Sequence, residues 1–262
     1  MKNEEFNNKN VVVTGGCRGL GSVIVRRFLS LGANVSIIDK KPINVFNKSF
    51  QSSLKIYEGD VGNYNHLLEI RSDLLKKWNR IDILVNNAGI ARVSPFMDQE
   101  YSDMEALVKT NIIGTFNSTQ IFGAIMVKNR NGSIINVAST DAIVGKACQD
   151  CELGVINVVT YASTKGAIIS FTKALAVEWG KYNIRVNAVC PSLIRTTMTR
   201  HLFSDINKVN RYKSLLPLGV IPTADDVANS VLFLASDKAR SITGHILVVD
   251  SGYLAYGGVG EP

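Results

Sequence analysis

The stretch that decides how this chain is read is Val11-Val12-Val13-Thr14-Gly15-Gly16-Cys17-Arg18-Gly19-Leu20-Gly21. Three β-branched residues in a row predict a short buried strand, and Thr14-Gly15-Gly16 ends it. From Leu20 to Leu31 the apolar positions Leu20, Val23, Ile24, Phe28 and Leu31 fall at helical spacing. Strand, glycine turn and helix together aim a helix N-terminus, with its unpaired N–H groups and positive dipole end, at an anion. The glycines allow a tight turn and a close backbone approach to a pyrophosphate. Their spacing, Gly15-x-x-x-Gly19-x-Gly21, is not the G-x-G-x-x-G fingerprint, and glycine turns also close ordinary strand–helix corners. The rest of the chain has to decide between these readings.

Working outward, Gly32 stops the helix and Asn34–Ile38 forms a second strand ending at Asp39. An acidic residue about twenty positions past the glycines is placed to accept hydrogen bonds from the adenosine ribose and to repel a 2′-phosphate. Arg18, Lys40 and Lys41 pull the other way, since each suits that phosphate. A third strand at Lys55–Glu58 leads into Asp60-Val61 and a helix over about 64–78. Ile81–Val85 is a fourth strand, closed by Asn86-Asn87-Ala88-Gly89. A long helix over 100–128 is interrupted at Lys109-Thr110-Asn111. Ser133–Val137 is the fifth strand, delivering Ser139. A helix over about 160–181, a sixth strand at Ile184–Val189, a turn and helical stretch from Pro191 to Gly219, a helix at Ala224–Ala235 and a strand at His245–Asp250 complete the order. Alternating helices and continuously apolar strands predict an α/β, three-layer, doubly wound Rossmann-type fold with a mainly parallel seven-stranded sheet. Right-handed crossovers put the strand C-termini on one ligand-binding edge.

At 262 residues, with 46% hydrophobic residues and neither linker nor repeat, the chain reads as a single domain over 1–262, its first nine residues or so flexible. The formal net charge of +7 raises a nucleic-acid partner. The basic residues are scattered, in pairs at most, so none is expected. Four cysteines make no disulfide scaffold, and Cys148-x-x-Cys151 with three dispersed histidines makes no zinc set. The apolar run Thr110–Val127 carries Asn111, Asn117 and Gln120 and reads as a packed helix, so no membrane partner is expected either. A cytoplasmic protein fits these features.

Tyr161 and Lys165 lie four apart, on one face of a helix that begins near the strand delivering Ser139. Of eight tyrosines this one alone has a lysine at i+4, although such a pair also occurs on ordinary helix surfaces. An ammonium beside a phenol lowers the phenol's pKa, and a serine hydroxyl can hold the substrate oxygen while tyrosine moves a proton.

With these residues in order, the sequence resembles the short-chain dehydrogenases/reductases of the roughly 250-residue type, from Val11 to about Tyr253. The resemblance rests on the turn Thr14–Gly21, Asp39, Asp60-Val61, Asn86-Asn87-Ala88-Gly89, Asn111, Ser139, Tyr161 with Lys165, the Pro191 to Thr196 turn, and Thr243-Gly244 with Asp250-Ser251-Gly252. It implies an NAD(P)-dependent oxidoreductase moving a hydride between nicotinamide and a secondary alcohol/ketone substrate, with NAD as cofactor and NADP as the alternative. In that reading Tyr161 is the acid/base, Ser139 binds the reacting oxygen, Lys165 holds the nicotinamide ribose, and Asn111 supports a proton-relay water. Gly15, Arg18, Gly19, Leu20 and Gly21 would cradle the dinucleotide, Asp60, Val61 and Asn87 its adenosine, and Ile194 and Thr196 its carboxamide. A 3-oxoacyl thioester reductase using NADPH and a catalytically silent cofactor-binding relative are the alternatives. All four residues Asn111, Ser139, Tyr161 and Lys165 are present, so nothing in the sequence supports silence.

The resemblance has three departures. Pro191-Ser192 replaces the usual Pro-Gly, Ser251 replaces a second glycine, and Thr140–Thr160 is a longer connection than usual. That connection is expected to wall the substrate pocket, the alternative being that it only lengthens a subunit contact. Candidate specificity residues are Thr140, Asp141, Ile143 and Val144, with Val93–Met97 and Met198–Leu216, and residues 191–222 are expected to form a substrate-side lid. The two long helices carry more apolar surface than one sheet face needs, and a homodimer or homotetramer is expected.

Overall fold

The computed structural model describes residues 5–145, 158–196 and 199–256. Seven strands form one sheet: β1 (Asn10–Thr14), β2 (Asn34–Asp39), β3 (Leu54–Glu58), β4 (Ile83–Asn86), β5 (Gly132–Val137), β6 (Ile184–Pro191) and β7 (Ile246–Val249). Every pairing is parallel, in the order β3-β2-β1-β4-β5-β6-β7. The doubly wound expectation therefore holds, with the order reversing between β1 and β4. At that switch point two connections leave in opposite directions and open a crevice at the strand C-termini.

The β-branched run explains why β1 takes the centre. All five of its residues are buried. Val11 and Val13 pack on one face with Ile24, Val25 and Phe28 of α1 (Gly19–Ser30). Val12 packs on the other with Leu67, Ile70 and Leu74 of α2 (Tyr64–Leu74). Alternation across a pleat covered on both sides requires exactly such an unbroken apolar strand. The sheet face of α1 also carries α7 (Ala224–Ala235), started by a capping box in which Thr223 and Asp226 bond each other's backbone N–H. The opposite face carries α4 (Gly114–Asn129) and α5 (Val159–Trp179).

Several boundaries differ from the sequence expectation. The fourth strand begins at Ile83, because Ile81 and Asp82 lead in with Asp82 bonding the Asn10 N–H at 2.8 Å. The second helix ends at Leu74 instead of Trp78. The long helix over 100–128 is α3 (Tyr101–Leu107), a π-helical turn at Val108–Ile113, and α4. The stretch after Pro191 contains a short 3-10 turn and α6 (Ile206–Ser214); Tyr212 of α6 and Leu216 just beyond it are buried against Leu193 and Tyr253. Ser251 takes a left-handed φ of 54°, the conformation that the replaced glycine would adopt freely. Lys146–Asn157, with Cys148 and Cys151, lie outside the described residues, as do the first four. Among the described residues no helix is long and apolar enough to cross a membrane, and no cluster suits a metal ion.

Candidate active site

The glycine turn is built as the sequence requires. Gly15 and Gly19 hold φ of +65° and +50°. A Cβ on Gly21 would press into the Gly15 carbonyl and come within 2.5 Å of Asn87 Nδ2. Asn87 straps this turn by donating from Nδ2 to the carbonyls of Thr14 (3.0 Å) and Gly15 (2.9 Å). Thr14 accepts the N–H groups of Asn87 and Ala88 at 3.1 Å each, tying β1 to β4 across the switch point, a role the sequence reading did not assign it. The N-terminus of α1 thus faces the crevice with its backbone donors available for a pyrophosphate.

Asp39 stands at the tip of β2, fixed by backbone donors on two sides. Its Oδ2 accepts the Cys17 N–H and its Oδ1 the Lys41 N–H, both at 3.1 Å. Lys40 pairs with Asp60 at 2.9 Å, and Arg18 donates to the Lys41 carbonyl at 3.0 Å. Asp60 also accepts the Gly62 N–H, and its carboxyl lies below the usual range because Lys40 and Gly62 outweigh the opposing effect of burial, the largest single influence on it.

Across the crevice, β5 and α5 position the chemical groups. Lys165 is 5% exposed, and its ammonium donates to the Val137 carbonyl at the end of β5 at 2.8 Å. Burial lowers its pKa to about 8. Its Nζ sits 5.8 Å from the centre of the Tyr161 ring. From the helix spacing alone, the Lys165 ammonium is expected to lower the pKa of the phenol. In the structure burial dominates and raises the Tyr161 pKa, the Asp141 carboxylate raises it further, and the Ser139 hydroxyl acts against both. Desolvation of the buried ring disfavours the charged phenolate.

Asn111 lies in the π-helical turn, an interruption visible in the sequence as a polar break. Its Nδ2 donates to the Ile90 carbonyl (3.0 Å) and to Thr164 Oγ1 (3.0 Å), while its Oδ1 accepts the Ile90 N–H (2.9 Å). A Cβ placed on Gly89 would lie 3.3 Å from Asn111 Oδ1 and 3.4 Å from Lys165 Nζ, so the two groups converge on that glycine. Below them runs a buried polar ladder that sequence reading missed. Asn86 bonds Thr119, Asn136 and Ser118, and Asn136 bonds Thr172 on α5. Its signal was asparagine at the end of two otherwise apolar strands.

One cavity of about 760 Å³ connects all of this. Gly15, Arg18, Gly19, Leu20, Gly21, Asp39, Asp60, Val61, Asn87, Ser139, Tyr161, Lys165, Ile194 and Thr196 line it. Asn111 stands behind the wall, buried, where it orders residues that do line it. The glycine cradle, with its helix N-terminus and a fixed carboxylate at the far end, fits a dinucleotide. Within the stretch expected to form a lid, Leu202 lines the cavity, whereas Leu216 is buried in a small cluster with Tyr212 and Ile206 is exposed.

A family model described as enoyl-(acyl carrier protein) reductase matches residues 15–254. The chain belongs to the short-chain dehydrogenase/reductase family. It is similar to 3-oxoacyl-[acyl-carrier-protein] reductase FabG of Chlamydia pneumoniae, 39% identical over 249 residues, covering 93% of this chain and 96% of the relative. Among solved structures, gluconate 5-dehydrogenase from Burkholderia cenocepacia, in complex with NADP and tartrate, superposes with a TM-score of 0.88 at 26% identity, covering 97% of this chain and 98% of the other. A short-chain dehydrogenase from Leptospira borgpetersenii with bound NAD+ gives 0.86 at 30% identity, over 96% and 94%. This family member is an NAD(P)-dependent oxidoreductase working between a secondary alcohol and a ketone.

Proposed function

We infer that Tyr161 is the proton donor and acceptor of the reaction, that Ser139 binds the reacting oxygen, and that NAD is preferred to NADP. A bound nicotinamide supplies the hydride in reduction and takes it in oxidation. During reduction Tyr161 gives its hydroxyl proton to the ketone oxygen, and during oxidation the phenolate takes it from the alcohol. Lys165 stabilises the phenolate as it forms and presents donors to the nicotinamide ribose. Asn111 positions Ile90 and α5, and with them the cavity wall. The observation that carries this reading is the single cavity that joins the glycine turn to Ser139, Tyr161 and Lys165.

The cofactor preference rests on Asp39, whose fixed carboxylate accepts from ribose hydroxyls and opposes a phosphate. Of the three cations that suit that phosphate, Lys40 and Arg18 are engaged with Asp60 and the Lys41 carbonyl, which leaves Lys41 to act against the preference. The 39% identical reductase favours a second reading, reduction of 3-oxoacyl thioesters. Screening the enzyme with NADH and NADPH against ketones, ketols and acetoacetyl-coenzyme A tests both. Turnover confined to acetoacetyl-coenzyme A with NADPH would select the second.

The chain acts as one domain, with residues 191–222 covering the substrate side, and we infer a symmetric dimer or tetramer. The aromatic pair Phe116–Phe171, with ring centres 4.4 Å apart, bridges α4 and α5. Phe116 and Val177 remain exposed along these helices, as does Ile113 in the π-helical turn before α4.

A further inference from the structure

Immediately after Ser139 the backbone makes a single 3-10 turn, Thr140–Ala142, that folds Asp141 back onto the serine. The Asp141 N–H donates to Ser139 Oγ, and the Ser139 hydroxyl donates to Asp141 Oδ2, both at 3.2 Å. Asp141 lines the same cavity as Ser139 and Tyr161. The proton-transfer steps above make no use of it. It opposes them, because a serine proton directed at a carboxylate is not directed at a substrate oxygen. Its charge also disfavours ionisation of three phenols around the site, Tyr161, Tyr212 and Tyr253.

A carboxylate with these costs has a use when the substrate brings a donor to it. The donor's position follows from the geometry. Ser139 Oγ marks the reacting oxygen, and Asp141 Oδ2 lies one hydrogen-bond length from Ser139 Oγ. Two neighbouring substrate oxygens match two neighbouring protein oxygens, as the hydroxyls of a vicinal diol do. The adjoining wall supports a hydroxyl. Ser192, buried and lining the cavity, adds a second serine hydroxyl at a position where the resemblance led us to expect glycine. Resting on the hydride-transfer reading above, we propose that Asp141 is a specificity residue that binds a hydroxyl on the carbon next to the reacting one, so that the substrates are α-hydroxy ketones and vicinal diols. A donor on Asp141 also releases the Ser139 proton to turn towards the reacting oxygen, so that the same hydroxyl strengthens binding and completes the site.

Matched substrates test this. Acetoin and 2-butanone differ by one α-hydroxyl, as do 2-hydroxycyclohexanone and cyclohexanone. In the wild-type enzyme kcat/KM is expected to favour the hydroxylated member of each pair by about 100-fold, since a site built to bond a hydroxyl rejects the analogue without it. Asp141→Ala is expected to reduce that ratio to below about tenfold, through loss on the hydroxy ketone while the plain ketone is kept or gains. Asp141→Asn, which keeps shape and one acceptor, should fall between. Cofactor Kd, measured by nicotinamide fluorescence, should be unchanged in both and reports that the fold is intact. Equal turnover of both members by the wild type, or an unchanged ratio in Asp141→Ala, overturns the assignment while leaving hydride transfer standing. Preference for aminoacetone over acetoin, or for acetoacetyl-coenzyme A, overturns the hydroxyl assignment. Turnover of no alcohol or ketone with either cofactor overturns the function reading itself, and this inference with it.

Discussion

The Asn111 side chain clamps both backbone polar groups of Ile90, accepting its N–H at 2.9 Å and donating to its carbonyl at 3.0 Å. One residue of a π-helical turn therefore holds the loop that follows β4, and through Thr164 it also holds α5. Such turns are frequent at functional sites because they aim a side chain that a regular helix would place elsewhere. Asn111→Ala leaves the Ile90 groups without these partners and is expected to cost about 1–3 kcal/mol of stability. Thermal or urea unfolding checks this, with kcat expected to fall alongside. A variant as stable and as active as the wild type would show that the clamp has no role.

Gly21→Ala tests the glycine cradle. Its added Cβ meets backbone at Gly15 and the Asn87 amide, neither of which can withdraw without opening the turn. Dinucleotide affinity is expected to drop at least about tenfold, whereas Gly145→Ala, whose Cβ meets nothing within 4 Å among the described residues, should leave it unchanged. Titration of nicotinamide fluorescence reads both.

The parallel, doubly wound sheet and the edge where its strand C-termini gather were legible in the sequence, because buried parallel strands are apolar on both faces and therefore stand out as continuous runs; the strand order was not, since it is set by which strands pair in the fold. The segment Val11–Gly21 placed β1 and the turn, and the apolar spacing from Leu20 to Leu31 placed α1. Ser139, Tyr161 and Lys165 were legible because helix spacing and a strand end fix where they meet. The influence of burial on the Tyr161 phenol was not legible, since it depends on what surrounds the ring and not on the lysine four residues on. Nor was the Asn86–Asn136 ladder, whose partners on α4 and α5 are brought together only by tertiary packing. Helix ends slipped by a few residues where a terminal turn, as after Leu74, keeps helix-like composition without continuing the helix.

Asp39→Asn tests cofactor choice with little change of shape, because the amide oxygen still accepts a backbone N–H. Removing the charge opposite a 2′-phosphate is expected to lower the NAD-over-NADP ratio of kcat/KM by about tenfold or more. An unchanged ratio would assign the selection to Arg18 and its basic neighbours.

Assembly is read by light scattering. The exposed apolar side chains of α4 and α5, with Val177 85% exposed, predict a dimer or tetramer at micromolar concentration. Val177→Glu should shift the distribution towards monomer. A wild-type monomer at that concentration would contradict the expectation.

The most direct test of the account is Tyr161→Phe, measured for turnover and for cofactor Kd in the same preparation. The ring is kept and the hydroxyl removed, so the account predicts unchanged folding, a Kd within about twofold of the wild type, and kcat reduced about 10²- to 10⁴-fold with the best substrate of the ketone and ketol screen. A variant that binds the dinucleotide normally and retains most of its kcat would show that the proton travels by another group, and would contradict the central claim.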